Sequence, residues 1–233
     1  MSPTSVPASP PEVGVLIPAA GRGDRAGVGA LKQFRAIGGV PMLLRAIRPF
    51  AQHPRVRQIV VALPAEFVTA PPPWLDGLVG ARLRTVPGGE TRAASVRAAL
   101  AALEPACTLV LVHDAARPFV SPGEIDAIIE AAAQGAALLA VPVSDTLKAA
   151  GDGPLVRRTV ARDGLWRALT PQGFPRAVLE AAYARTSDAE AATDDAALVE
   201  ALGQPVRLVP GRTTNLKITT PEDFELAEAL ARR

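Results

Sequence analysis

The chain has 233 residues, enough for one well-buried domain, and its 48% hydrophobic and 21% charged residues are the balance of a soluble globular fold. A formal charge of +2, with no dense Lys/Arg tract, argues against a nucleic-acid surface. One cysteine (Cys107) and two histidines (His53 and His113) exclude an intrachain disulfide, a thiolate metal cluster and a multi-histidine metal site. Cys107 itself reads as a buried structural thiol.

Along the chain, "MSPTSVPASPPE" is rich in Ser and Pro and has neither a basic start nor an apolar core. Residues 1–12 are therefore expected to be a disordered tail rather than a signal peptide, and residues 13–233 a single domain. No apolar run approaches the ~20 residues of a membrane span, so a cytoplasmic protein without a membrane partner is expected.

The runs "VGVLIP" (13–18), "RQIVVALP" (57–64), "RLRTVPGG" (82–89), "TLVLVHD" (108–114) and "AALLAVPV" (136–143) read as strands buried on both faces. Between them, "PMLLRAIRPFAQ" (41–52), "TRAASVRAALAALE" (91–104) and "SPGEIDAIIEAAAQ" (121–134) have helical period. The last carries a capping box, with Ser121 at the N-cap, Pro122 at N1 and Glu124 at N3. This alternation predicts an α/β fold with a mostly parallel, Rossmann-like sheet, whose ligand crevice lies beyond the strands' C-terminal ends. Three polar or glycine-rich patches, Ala19–Gly23, Gly88–Gly89 and His113–Arg117, then share one rim.

From Ser144 to Arg162 the chain alternates around a "GDG" turn, which predicts a protruding β-hairpin arm that needs something to pack on. Helices are expected near 175–185 and 194–202. Short strands follow at "VRLVPG" and "NLKIT", then a final helix begun by Thr220 and Pro221.

The loop after the first strand, "AAGRGDRAGVGALKQ", fits the dinucleotide fingerprint G-x-G-x-x-A. That fingerprint also needs an acid about 20 residues on for the ribose. From Arg25 to Ala65 there is none, against six arginines and one lysine, which counts against NAD. A P-loop needs Gly-Lys-Ser/Thr, which is missing. A basic phosphate-binding loop and a plain structural turn remain open on these residues alone.

"PAAGRGDRAGVGALKQF", "PGGETRAASV", "VHDAARPFV", "SDTLK", "LTPQGF", "TDDAALVE" and "NLKITTPED" occur in this order from about residue 13 to 230. Together they resemble the 2-C-methyl-D-erythritol 4-phosphate cytidylyltransferase family. The resemblance implies a sheet of the nucleotide-diphospho-sugar transferase type. It also implies transfer of a cytidylyl group from CTP to methylerythritol phosphate, with Mg²⁺ (Mn²⁺ or another divalent cation as substitute) and release of pyrophosphate. A homodimer is implied as well, with residues 144–162 as a dimerisation and substrate arm.

Position by position, the resemblance puts Ala19, Ala20, Gly21, Gly23, Gly89, Glu90, Ser95 and Ala115 around CTP. Arg25, Lys32 and Lys217 become the cations on its phosphates, and Asp114 the catalytic carboxylate and metal ligand. Arg117, Thr146, Arg162, Thr170 and Thr193 become contacts of the acceptor, Thr146 and Arg162 across the dimer. The chain departs from the family pattern at Asp24, Ala26 and Leu31, where a basic or neutral residue, Met and Pro are usual.

The implied chemistry is coherent, because a phosphate monoester is already an anionic nucleophile and needs no general base. What it needs is fixed cations around the phosphates. Without the ordered match, Asp114 reads as a turn cap, Lys217 as an outward strand lysine, Thr193–Asp194 as a helix N-cap and Arg162 as a surface arginine. The rival functions are a ribitol-5-phosphate cytidylyltransferase, a non-catalytic nucleotide-binding regulator and an NAD-dependent oxidoreductase.

Overall fold

The apolar runs and the amphipathic segments fold as strands and helices in the expected order. The computed structural model describes residues 12–21, 31–78, 80, 82–185 and 192–232. Strand β1 (Glu12–Pro18) is followed by a 3₁₀ turn at Lys32–Phe34, the ribbon β2 (Ala36–Ile37) and β3 (Val40–Pro41), helix α1 (Met42–Ala51) and β4 (Val56–Leu63). Two one-turn helices, α2 (Glu66–Thr69) and α3 (Pro73–Asp76), lead to β5 (Leu83–Pro87), α4 (Arg92–Ala101), β6 (Cys107–Val112), α5 (Pro122–Ala132) and β7 (Ala136–Pro142). The pair β8 (Leu147–Ala150) and β9 (Val156–Val160) precedes β10 (Trp166–Pro175), α6 (Arg176–Arg185), α7 (Asp195–Ala201), β11 (Val206–Pro210) and α8 (Pro221–Ala231).

Seven strands form one sheet in the order β11-β7-β10-β6-β1-β4-β5. β1, β4, β5 and β6 are mutually parallel, as are β7 and β11. Within β1, Val13, Val15 and Ile17 face Leu43, Ile47 and Phe50 of α1 and Ile125, Ile128 and Ile129 of α5. Leu16 faces the opposite layer, with Val96 and Leu100 of α4 and Leu179 of α6. Both faces are covered, which is why these strands are continuously apolar instead of alternating. The capping box on α5 forms as predicted, with Glu124 N–H donating to Ser121 Oγ at 3.3 Å and Ser121 N–H to Glu124 Oε2 at 2.9 Å. Cys107 is buried at the start of β6.

Two expectations need correction. "NLKIT" is not a strand: residues 211–219 are irregular, held by the Ile218 N–H to Ala116 C=O bond of 2.8 Å and by side chains. Conversely, β10 was not predicted, and it runs antiparallel to both β6 and β7 in the middle of the sheet. Its Pro171 and Gly173 are residues that ordinarily disfavour a central strand. The chain accommodates them by an irregularity: pairing with β7 breaks between Ala168 and Gln172.

β8 and β9 form a two-stranded sheet of their own, in antiparallel register Leu147↔Val160, as the hairpin arm predicts. Glu12, the last residue of the expected tail, opens β1, and residues 1–11 lie outside the described residues. Among the described residues no helix is long and apolar enough to cross a membrane.

Candidate active site

β1, β5 and β6 end on one rim, as parallel topology requires, and the segments that follow them enclose a cavity of about 240 Å³. Its lining includes Ala19, Ala20, Gly21, Lys32, Gly89, Glu90, Ser95, Asp114, Ala115 and Lys217. Gln33 fixes one wall by donating from Nε2 to Ala19 C=O at 2.7 Å. The glycines of the β5–α4 turn are there for close approach. A Cβ on Gly88 would lie 2.3 Å from Ala20 Cβ, and one on Gly89 would lie 2.4 Å from Ala94 Cβ. Thr91 then starts α4, accepting from Ala94 N–H at 3.0 Å, so the helix N-terminus faces the cavity as an anion-binding end would.

A second cavity, also about 240 Å³, lies beside the first and is lined by Arg117, Ala168, Leu169, Thr170, Gln172, Thr193 and Asp194. Arg92, Asp114 and Lys217 line both cavities, which therefore meet at these three side chains. Asp114 Oδ2 is 2.9 Å from Lys217 Nζ and 3.9 Å from Arg117 Nε, while Oδ1 accepts from Arg92 Nε at 3.1 Å. Burial would raise the Asp114 pKa, but the charges of Arg92, Lys217 and Arg117 prevail and hold the carboxyl well below the usual carboxylate range. The same burial acts on Arg92 in the opposite sense. There too the pairing wins, with Asp195 and Asp114 raising its pKa further. For Arg117, burial dominates and lowers it.

Behind Asp114 lies a buried hydrogen-bonded chain. Asp114 N–H donates to Thr170 Oγ1 at 3.0 Å, Thr170 Oγ1 is 3.0 Å from His113 Nδ1, and His113 Nε2 is 3.0 Å from Arg117 C=O. A carbonyl can only accept, so Nε2 carries the proton and Nδ1 accepts from the Thr170 hydroxyl. Burial pushes His113 down to about 4, so it is neutral at pH 7. It is a packed strand-end residue, as its sequence context suggests, and not a base. The irregular stretch of β10 thus delivers Thr170 to the rim.

Lys217 is held from the other side. Arg117 Nη1 donates to Asn215 C=O at 2.8 Å, and Asn215 Nδ2 donates to Thr170 C=O at 2.9 Å. Glu124 Oε1 accepts the Arg212 N–H at 2.9 Å. The irregular 211–219 loop is therefore pinned to α5, β10 and the Asp114 turn, and this sets Lys217 over Asp114.

Of the residues singled out from sequence, two groups separate cleanly. Ala19, Ala20, Gly21, Lys32, Gly89, Glu90, Ser95 and Ala115 line the first cavity; Arg117, Thr170 and Thr193 line the second. Gly23 and Arg25 lie outside the described residues. Thr146 and Arg162 line neither cavity. Both are exposed on the arm, where Arg162 Nη1 donates to Ser144 C=O.

Sequence reasoning missed Arg92, Gln33 and Asn215. Arg92 left a signal: a cation in the first turn of a helix opposes the backbone dipole and calls for a reason. The bland role of Thr193–Asp194 holds as well, since Asp194 N-caps α7 by accepting from Ala197 N–H at 2.9 Å.

The family model for 2-C-methyl-D-erythritol 4-phosphate cytidylyltransferase (IspD) matches residues 13–233. The enzyme of that name from Salinibacter ruber is 49% identical over 93% of this chain and 91% of its own length. The one from Frankia casuarinae is 46% identical over 98% of this chain and 84% of its own. The crystal structure of the Thermus thermophilus enzyme of that name superposes with a TM-score of 0.80 at 43% identity, covering 95% of this chain and all of the other.

Proposed function

The chain belongs to the 2-C-methyl-D-erythritol 4-phosphate cytidylyltransferase family, and from that premise we propose that it transfers the cytidylyl group of CTP to 2-C-methyl-D-erythritol 4-phosphate, releasing pyrophosphate, in non-mevalonate isoprenoid precursor synthesis. The observation that carries this reading is the separation of two cavities that meet at Asp114, Lys217 and Arg92. Nucleotide-type residues line one and acceptor-type residues the other. The ribitol, NAD and regulator readings are not favoured, because the family and its relatives are cytidylyltransferases named for methylerythritol phosphate.

In this reading an oxygen of the acceptor phosphate attacks the α-phosphorus of CTP. A new P–O bond forms as the bond to the β-phosphate oxygen breaks, and pyrophosphate leaves with the electron pair. No proton need be removed from the nucleophile, which suits a site whose one histidine is buried and neutral. Two anions must be brought together, and Lys32, Lys217 and Arg25 are the cations assigned to that work. Asp114 orients Lys217 at the junction, and Arg117 and Thr193 face the acceptor.

Mg²⁺ fits the donor chemistry. Asp114 is one hard carboxylate on the junction, which suits an ion that rarely takes an all-protein cage. Asp114 would hold it, and when bound it supplies positive charge to the phosphates; Mn²⁺ is the natural substitute.

The arm supports a homodimer. Leu155 is 73% and Val156 63% exposed, with Leu165 and Trp166 also open at its base, an apolar patch that a second subunit would cover. Thr146 and Arg162 then serve the partner's second cavity. The cytoplasm, which holds the CTP pool, is the proposed location.

The test is pyrophosphate release from each of the four nucleoside triphosphates with a panel of polyol phosphates, with and without Mg²⁺. CTP with methylerythritol phosphate and Mg²⁺ should be the active combination, and silence from it would sink the reading.

A further inference from the structure

Arg92 opens α4 at the positive end of that helix, where an arginine works against the dipole. Two carboxylates offset this. Arg92 Nε donates to Asp114 Oδ1 at 3.1 Å, and Nη1 lies 2.8 Å from Asp195 Oδ2. Asp195 is fully buried and lines neither cavity, and its Oδ1 accepts the Tyr183 hydroxyl at 2.6 Å. The series Tyr183–Asp195–Arg92–Asp114 thus runs from α6 through the first turns of α7 and α4 to the carboxylate between the cavities.

A buried ion pair adds little net stability over apolar residues of the same volume, so what this one contributes is direction. Asp114 has two other cations to turn to, Lys217 at 2.9 Å and Arg117 at 3.9 Å. Only a group fixed from behind keeps one of its oxygens away from them. Arginine suits that position because its planar fork bridges two carboxylates, which the single ammonium of lysine cannot do in the same geometry.

We propose that Arg92 is a positioning residue for cytidylyl transfer, clamped by Asp195 and Tyr183 so that Asp114 stays aimed between the two cavities and presents Lys217 to the phosphates. This inference rests on the functional reading above. Asp195 and Tyr183 line neither cavity, and the side chain that links them to the junction is Arg92.

The experiment is steady-state kinetics with CTP and methylerythritol phosphate, alongside thermal melting. The proteins are wild type, Tyr183→Phe, Asp195→Asn, Arg92→Met and the double variant Arg92→Met/Asp195→Asn. Misplaced Asp114 should lower kcat about 100-fold in Arg92→Met. Asp195→Asn should lower it about 10-fold and Tyr183→Phe, which removes one hydroxyl from a supporting contact, somewhat less. KM for CTP should stay within about two-fold, since the loss falls on the reacting geometry and not on uniform binding.

The double variant should regain melting temperature over Arg92→Met, because no buried carboxylate is left without its cation, while its kcat stays at the Arg92→Met level. The inference is overturned if Tyr183→Phe and Asp195→Asn turn over at the wild-type rate, if the two losses multiply in the double variant, or if kcat returns with stability. A wild type that releases no pyrophosphate would sink the functional reading and this inference together. An active wild type without the pattern above would sink this inference alone.

Discussion

The rim around Asp114 and the β8–β9 arm each carry part of the site read from sequence, and they are built in opposite ways. The rim draws on segments far apart in the chain: the loop after β1, the turn into α4, the turn after β6, the irregular stretch of β10, the residues before α7 and the 211–219 loop. At its centre Asp114, Arg117 and Thr170 are each below 8% exposed and cross-bonded. The arm is one contiguous hairpin that pairs only with itself, and it exposes Leu155 and Val156. The rim positions its residues by burial within this chain. The arm positions Thr146 and Arg162 only if another surface receives it.

The sharpest way to separate the two regions is to remove one cation from each. Lys217 is 46% exposed at the side chain, so Lys217→Ala should leave the melting temperature almost unchanged. Its kcat should nevertheless fall about 10²–10³-fold, the cost of deleting one fixed group that stabilises transition-state charge. Lys32→Ala should behave alike, and equal loss of fold and turnover would return either lysine to a structural role.

A second comparison uses acid, because the rim contains a buried neutral histidine and the arm none. His113 takes a proton near pH 4 when folded and near the ordinary ~6.5 when unfolded. Between those values the unfolded chain binds more protons, so stability is full above about 6.5 and falls as pH drops toward about 4, by at most about 3 kcal/mol. Urea midpoints measured from pH 7 to 4 should show this slope, and His113→Asn should flatten it. An unchanged slope would mean that other groups cause it.

The smallest effect tests the arm. Arg162→Ala should raise the acceptor KM about 10-fold, the loss of one charge-assisted contact of about 1.4 kcal/mol, with CTP KM and melting temperature held. Mixing the two poor enzymes decides whose cavity the arm serves. A mixed dimer of Lys217→Ala and Arg162→Ala subunits contains one intact site if the arm crosses over, so activity should recover on mixing. If the arm serves its own subunit, both sites stay defective and nothing is regained.

The parallel strands were legible because burial on both faces leaves a continuous apolar run, and β1, β4 and β6 fall within one or two residues of their predicted ends. The capping box at Ser121 and the helix start at Thr220–Pro221 were legible because they are local. β10 was not, since Pro171 and Gly173 argue locally against a central strand and only the neighbours β6 and β7 overrule them. "NLKIT" erred the other way: its alternation mimics a strand, but bonds from Arg117, Thr170 and Glu124 hold the 211–219 region as a loop.

By itself the sequence determined the order of the parallel strands with their covering helices and the shared rim of those strands, because these depend on residue type and on spacing along the chain. Only the tertiary structure decided that the site is two cavities meeting at Asp114, and that Arg92, clamped by Asp195 and Tyr183, stands at their junction. Those contacts join residues far apart in the chain. Which carboxylate meets which cation there is set by how the layers pack around the sheet, and no local pattern encodes it.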